Sequence, residues 1–248
     1  MILRNILLSA IVVGLFSGLL YGLFQHAQIS PIIYAAEQYE VSEETPATHS
    51  HEDAKQGDHH HDAEAWAPED GFERIAYTLG ADIGIAIAYA ILMISLMALH
   101  DLKSNKPKLD AMQGIAWGIL AMIIFFVAPA MFGLHPEVPG TEAAALEGRQ
   151  TWWTACVVLT AAGFATLYYA PLKFKAAGLL FLALPHLIGA PMPDELSFAN
   201  TSPEAVSALT ELSHQFYSLT AIGMVFFFVL LGSMSGFAVK RFVKLESL

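Results

Sequence analysis

The chain has 248 residues, of which 55% are hydrophobic and only 14% are charged, and its formal net charge at pH 7 is -11. Because about a quarter of the residues in an ordinary soluble domain are charged, this composition predicts a membrane protein. The acidic balance gives no reason to expect a nucleic-acid partner. The single cysteine, Cys156, excludes a disulfide framework or a thiolate metal site within one chain.

Six apolar segments approach or reach the 17 to 25 residues that a bilayer-crossing helix requires. Their predicted bounds are 6–25, 79–99, 112–132, 152–171, 175–190 and 216–239. They predict an all-α, polytopic membrane helix bundle with about six transmembrane helices, or five if one segment does not cross. The expected organisation is a first transmembrane helix at 1–25, an acidic His-rich outer loop at 26–78 and the remaining bundle at 79–248.

The first segment could be a retained helix or a cleaved secretion signal, because Arg4 precedes its apolar run. The run is longer than the apolar core of a signal peptide, and no clear A-x-A cleavage site follows it. Small residues recur every four positions, at Ala10, Gly14, Gly18 and Gly22, so that one helix face allows another backbone to approach closely. We therefore expect this helix to be retained and packed.

The string HSHEDAKQGDHHHDAEAW, residues 49–66, places five of the ten histidines among acidic residues. Imidazole suits cobalt, nickel, zinc and copper, and carboxylates add oxygen ligands. We expect this segment to capture a divalent metal without a fixed site. The expected ligands are His49, His51, His59, His60 and His61. The alternative is a solvated acidic linker whose histidines are incidental.

The fifth apolar segment is short and ends in LPHLIGAPMP, so a tilted span and a re-entrant helix both remain open. The positive-inside rule favours a crossing here, because six spans place most basic residues on one side. That side carries Arg4, Lys103, Lys106, Lys108, Lys173, Lys175, Lys240, Arg241 and Lys244, whereas the other carries Lys55, Arg74 and Arg149. Both termini are then expected to be cytoplasmic.

Three strings resemble the predicted cobalt transporter subunit family of bacterial membrane proteins associated with cobalamin synthesis. They are QHAQISPIIYAAEQYE, APAMFGLHPEVPGTEAAALEGRQTWW and ALPHLIGAP. The resemblance covers nearly the whole chain outside the His-rich string and implies a permease subunit that imports cobalt. It also implies five spans, a location in the bacterial inner membrane and a partner, which is a small single-span transporter subunit with its own His-rich terminus.

The resemblance directs attention to His186, which lies in the Pro-His-Leu-Ile-Gly string just after the helix-breaking Pro185. A histidine in a membrane span beside a helix break is a candidate metal ligand, and packing against a neighbouring helix is the alternative. Polar residues at the same predicted level could line one outward vestibule with it. They are His26, Asp82, Glu137, Glu142, Arg149 and His214, of which His26, Asp82 and Glu137 are the candidate metal ligands.

Some polar residues near the spans are expected to have structural roles. An ion pair between Asp82 and Arg149 would explain both residues without a metal. His135 and His214 are expected to be surface residues, and His100 to cap the cytoplasmic end of its helix.

The sequence favours a divalent-metal permease subunit, with cobalt indicated by the resemblance and nickel or zinc as close variants. No tightly bound cofactor is expected, since the metal is the transported substrate. A membrane metalloenzyme is the first alternative, but it would call for paired histidines at helical spacing near one span, and no such pair occurs. A metal-sensing interaction protein is the second. No catalytic residue is predicted.

Overall fold

The computed structural model describes residues 2–40, 68–103, 109–131, 133–193 and 197–243. Within these ranges the chain forms α-helices and no β-strand. The helices are α1 (Ile2–Phe24), α2 (Ser30–Glu37), α3 (Phe72–Lys103), α4 (Ala111–Met122), α5 (Ala128–Met131), α6 (Leu146–Tyr169), α7 (Lys175–Ile188) and α8 (Pro203–Phe242). One π-helical turn, Gln25–Ile29, joins α1 to α2, and another, Ile123–Val127, joins α4 to α5.

Five of the described helical segments are long and apolar enough to cross a membrane, which confirms the polytopic helix bundle. They are Ile2–Glu37, Phe72–Lys103, Ala111–Met131, Leu146–Tyr169 and Pro203–Phe242. Large apolar side chains such as Val12, 63% exposed, and Phe16, 50% exposed, cover the outside of α1. Such surfaces are stable in contact with lipid rather than water.

The predicted span at 175–190 forms α7, which has only 14 residues. At about 1.5 Å per residue, α7 is about 21 Å long and shorter than the ~30 Å hydrocarbon core of a bilayer. It nevertheless runs antiparallel beside α6, because a Cβ on Gly163 would lie 3.0 Å from the carbonyl oxygen of Gly178 and 2.7 Å from Leu182. At the far end of α7, Trp152 bonds to Pro185. The chain therefore returns to the end at which α6 begins.

The small residues of α1 pack against α3, as the four-residue repeat predicted. A Cβ on Gly14 would lie 2.4 Å from the Cα of Ile87, and one on Gly18 would lie 2.7 Å from the Cα of Ile83. Ala10 is fully buried in the same interface region. This close backbone approach is typical of packed membrane helices that carry small residues at the contact.

A second close contact joins α4 to α8 through two GxxxG patterns that face each other. A Cβ on Gly118 would lie 2.1 Å from the carbonyl oxygen of Phe228, and one on Gly114 would lie 2.2 Å from that of Gly232. A Cβ on Gly236 would likewise lie 2.3 Å from the carbonyl oxygen of Asp110. Because glycine has no side chain, the two backbones come into van der Waals contact. Such contact between helices is a main source of stability in lipid.

The helices share two ends, which we call the basic end and the acidic end. The basic end includes Asn5, whose side chain donates to the carbonyl of Phe242, and His100, which bonds to Tyr169. The described members of the predicted basic set lie there, including Lys103, Lys175 and Arg241. The acidic end includes the ion pair between Arg74 and Glu37.

Two helices extend past the predicted spans at the acidic end. Helical structure continues from the first span through Glu37, and α8 begins at Pro203 rather than near residue 216. The start of α8 follows from its sequence, since Ser202 accepts a hydrogen bond from the backbone N–H of Ala205 at 3.3 Å and Pro203 occupies the first turn. The described ends of the predicted 26–78 loop are therefore helical.

Candidate functional site

An open cleft of about 640 Å³ lies at the acidic end, between the segment that follows α5 and the first third of α8. Its walls carry two imidazoles and one carboxylate together with hydroxyl groups. The lining residues are Ala130, His135, Pro136, Glu137, Thr141, Ser197, Phe198, Thr210, Ser213, His214 and Tyr217. This mixture of nitrogen and oxygen donors in a concave surface makes the cleft the candidate site.

His135 presents one ring nitrogen that is suited to bind a metal. Its Nδ1 lies 3.3 Å from the carbonyl oxygen of Gly133, and its ring stands edge-on to Tyr217 with centroids 6.3 Å apart. Because a carbonyl oxygen can only accept a hydrogen bond, Nδ1 carries the proton and the lone pair lies on Nε2. A carbonyl that orients an imidazole in this way is the usual support of a histidine ligand.

His214 reaches the cleft because α8 begins earlier than the sequence analysis predicted. In a helix that starts at Pro203, residues three or four positions apart share a face, and Thr210, His214 and Tyr217 line the cleft together. The expectation that His135 and His214 are surface residues is confirmed. Both are exposed, but they line the same cleft. The capping residue Ser202 and Pro203 were the sequence signals that could have revealed this face.

Glu137 lies in the cleft as part of an ion pair. Its Oε2 accepts from Nη2 of Arg149 at 2.9 Å, and the two side chains are 21% and 28% exposed. The alternative in which Arg149 pairs with Asp82 is therefore wrong, because the guanidinium binds Glu137 instead. The reason is local: α6 begins at Leu146, so Arg149 lies in its first turn, close to the segment that carries Glu137.

His186 lies beside Trp152 in the last turn of α7, with ring centroids 6.4 Å apart. The Trp152 Nε1 donates to the carbonyl of Pro185 at 3.2 Å, and the Gly189 N–H donates to the same oxygen at 3.1 Å. The helix end that holds His186 is therefore fixed to α6. Trp152 is only 7% exposed and packs inside the protein.

Asp82 and His26 do not line the cleft. Asp82 faces α1, where its Oδ2 would lie 3.0 Å from a Cβ on Gly22. This oxygen is buried and has no hydrogen-bond partner among the described residues. His26 is exposed on the π-helical turn Gln25–Ile29. Of the predicted vestibule residues, Glu137 and His214 line the cleft, whereas the candidate ligands His26 and Asp82 do not.

The cleft does not form a closed metal cage. Within the described ranges, no group of three or more His, Cys, Asp or Glu side chains is arranged to hold an ion. The predicted ligands His49, His51, His59, His60 and His61 lie outside the described residues. Chemically, the cleft offers a few nitrogen and oxygen donors in an open, water-accessible surface, which suits brief contact with a divalent cation.

The acidic end also has little free positive charge among its described residues. Arg149 is paired with Glu137, and Arg74 contacts Glu37 and, at 3.1 Å, Asp70. The ring of Tyr34 lies 4.8 Å from the Arg74 guanidinium carbon. The other carboxylates nearby therefore give this end a negative potential that attracts cations.

Comparison with known proteins agrees with this arrangement. The sequence profile of probable cobalt transporter subunits (CbtA) matches residues 3–240. No curated protein and no solved structure gives a significant match. Membership in a family of transporter subunits favours transport over catalysis and implies partner subunits. The chain, a polytopic membrane protein, belongs to the probable cobalt transporter subunit (CbtA) family.

Proposed function

We propose that the chain is the membrane-spanning subunit of a cobalt importer that supplies cobalamin synthesis, and that cobalt first meets the bundle in the acidic-end cleft. The observation that carries the proposal is the shared position of His135, His214 and Glu137 in one open cleft of a chain of this family. Imidazole and carboxylate together suit borderline divalent cations such as Co²⁺.

The open geometry of the cleft fits a transported ion better than a resident one. An ion that must pass through a protein needs sites that bind it strongly enough to attract it and weakly enough to release it. Nε2 of His135 is available to an ion, whereas Glu137 is already balanced by Arg149. A cobalt ion that binds the Glu137 carboxylate would displace the guanidinium of Arg149.

The His-rich string would raise the local concentration of metal at the same end. It follows the helix that ends at Glu37 and precedes α3, which starts at Phe72, so both of its attachment points lie at the acidic end. Tethered ligands act at a high effective concentration. We propose that this end is periplasmic or extracellular, that the basic end faces the cytoplasm, and that the partner is a small single-span, His-rich transporter subunit.

The experiment is the uptake of radiolabelled cobalt, nickel and zinc by bacteria that express the chain together with this partner. We expect cobalt to accumulate faster than in cells without the chain, and unlabelled cobalt to compete better than nickel or zinc. Equal uptake in the two cell types would contradict the transport proposal. Faster uptake of nickel or zinc than of cobalt would contradict the assignment of the metal.

A further inference from the structure

A second cleft, of about 580 Å³, opens at the basic end between α3, α4 and α6. Most of its wall is apolar, and one edge carries Lys103 and His100. The lining residues are Leu96, Leu99, His100, Lys103, Ala116, Trp117, Leu120, Ile124, Ala161, Phe164, Ala165, Tyr168 and Tyr169. We call this space the basic-end cleft. The transport mechanism proposed above does not use it.

The cleft exists because α6 is held to the bundle mainly at the acidic end. There α6 contacts α5, and Trp153 lies 6.4 Å from Phe125 between ring centroids. Along its other half α6 packs against α7 and stands away from α3 and α4. A hydrogen bond of 2.8 Å between His100 Nδ1 and the hydroxyl of Tyr169 bridges the gap at the basic end.

The shape of the cleft matches the path of a lipid chain. From Trp117 near the mouth to Ile124 at the bottom, the wall extends about 10 Å along α4 and the π-helical turn that follows it. The stretch from Tyr168 to Ala161 extends about as far along α6. One leaflet of the hydrocarbon core is about 15 Å thick. An apolar gap between membrane helices does not hold water, so the filling that the bilayer provides there is an acyl chain.

The polar edge indicates the headgroup. Lys103 is the last residue of α3 and supplies a positive charge. His100 uses Nδ1 for the bond to Tyr169, so Nε2 is the ring nitrogen that could contact a headgroup. Aromatic rings surround His100, with Trp117 at 5.7 Å and Tyr168 at 5.8 Å between centroids. Tyrosine and tryptophan concentrate at the headgroup level of a membrane, and basic pockets between helices bind acidic headgroups.

We propose that the basic-end cleft binds one acyl chain of an anionic phospholipid, whose phosphate lies against Lys103 and His100. The inference depends on the membrane bundle alone and not on the transported metal. A transmembrane helix of a partner protein would cover the same apolar wall, but the cation and imidazole at the mouth are complementary to a phosphate.

The test uses the fluorescence of Trp117 in the full chain, purified in a neutral detergent. Phosphatidylglycerol or phosphatidylcholine with brominated acyl chains is titrated in, since bromine quenches only nearby indoles. The Trp117 signal is the difference between the wild type and Trp117→Phe. We expect phosphatidylglycerol to quench it at several-fold lower lipid concentration, and Lys103→Gln to reduce that preference by about fivefold.

A matched pair of variants tests the location. Ala165→Phe places a ring in the cleft, whereas Ala88→Phe places one at another exposed position, on α3 and outside the cleft. We expect only Ala165→Phe to abolish the specific quenching. Equal quenching by both lipids would overturn the headgroup assignment. Quenching insensitive to Ala165→Phe, or seen only after removal of a co-purified polypeptide, would overturn the lipid site.

Discussion

The indole of Trp152 fills the space between three segments at the acidic end. Its N–H bonds to the Pro185 carbonyl, its ring faces His186, and a Cβ on Gly133 would lie 2.7 Å from the ring. His135 bonds back to the carbonyl of that same glycine. Trp152 therefore links the position of His186 to the wall of the acidic-end cleft, and His186 can affect transport either as a ligand or through this packing.

The substitution of His186 by alanine or glutamine separates these two roles. If His186 contacts a partly dehydrated ion, His186→Ala should abolish cobalt uptake at every cobalt concentration, because a ligand from elsewhere cannot replace it. His186→Gln should be inactive as well, since an amide is a poor metal ligand. The measurement is uptake at scarce and abundant cobalt, with thermal unfolding as the check that both variants fold. Normal transport by His186→Gln would establish the packing role.

At the scale of helices, the paired glycines of α4 and α8 set how closely the two backbones approach. Gly118 lies against the Phe228 carbonyl, whereas Gly84 on α3 has nothing within 4 Å of an added Cβ. The two glycines are both inside membrane helices, so they share the same helix propensity and differ only in their neighbours.

We predict opposite effects of one methyl group at these two sites. Gly118→Ala should force α4 and α8 apart and lower the free energy of unfolding by about 1 to 3 kcal/mol. Gly84→Ala should leave it unchanged or raise it slightly, because alanine is the better helix former. Thermal unfolding of both variants in the same detergent is the measurement. A similar loss of stability in both variants would contradict the claim that close packing of α4 against α8 causes the effect of Gly118→Ala.

The proposed role of the His-rich string can be tested separately from that of the bundle. Deletion of residues 49–61 should reduce cobalt uptake mainly when cobalt is scarce, because abundant metal occupies the cleft without prior capture. A control deletion of residues 41–48, which removes eight residues of the same segment and no histidine, should have little effect. Uptake kinetics over a range of cobalt concentrations give the answer. An equal loss at all concentrations would mean that the string takes part in passage itself.

The fold was more predictable than the site, for physical reasons. Apolar length reveals a membrane helix directly, and the repeat from Ala10 to Gly22 was enough to predict a close helix contact. The cleft depends on where α8 starts, and the start at Pro203 projects the helix beyond the apolar segment that the span prediction followed. The partner of Arg149 depends on contacts across the chain, which spacing alone does not determine.

At the scale of the whole molecule, α7 decides the path of the chain. This 14-residue helix is too short to cross as a straight, full-length span, yet it carries the chain from the basic end back to the level of Trp152. Among the described residues, the bundle thus combines five helical segments long enough to span a membrane with one short return helix. The five long helices agree with the span count that the resemblance implied, and a sixth crossing through α7 stays a prediction.

The two-ended arrangement predicts the side on which each tag should appear. A reporter after Leu248 and a reporter within residues 50–60 should lie on opposite faces of the membrane, with the first in the cytoplasm, because the basic end follows the positive-inside rule. Accessibility of each reporter to a membrane-impermeant reagent in intact cells is the measurement. Both reporters on one face would contradict the return path through α7.

Cobalt uptake by a double variant of the acidic-end cleft tests the central claim most directly. His135→Gln combined with His214→Gln removes both imidazoles from the cleft, and His26→Gln removes an exposed imidazole that does not line it. The double variant should take up scarce cobalt at least about tenfold more slowly, as expected for the loss of metal-binding groups, while His26→Gln keeps the wild-type rate. Wild-type uptake by a stably inserted double variant would contradict the assignment of this cleft.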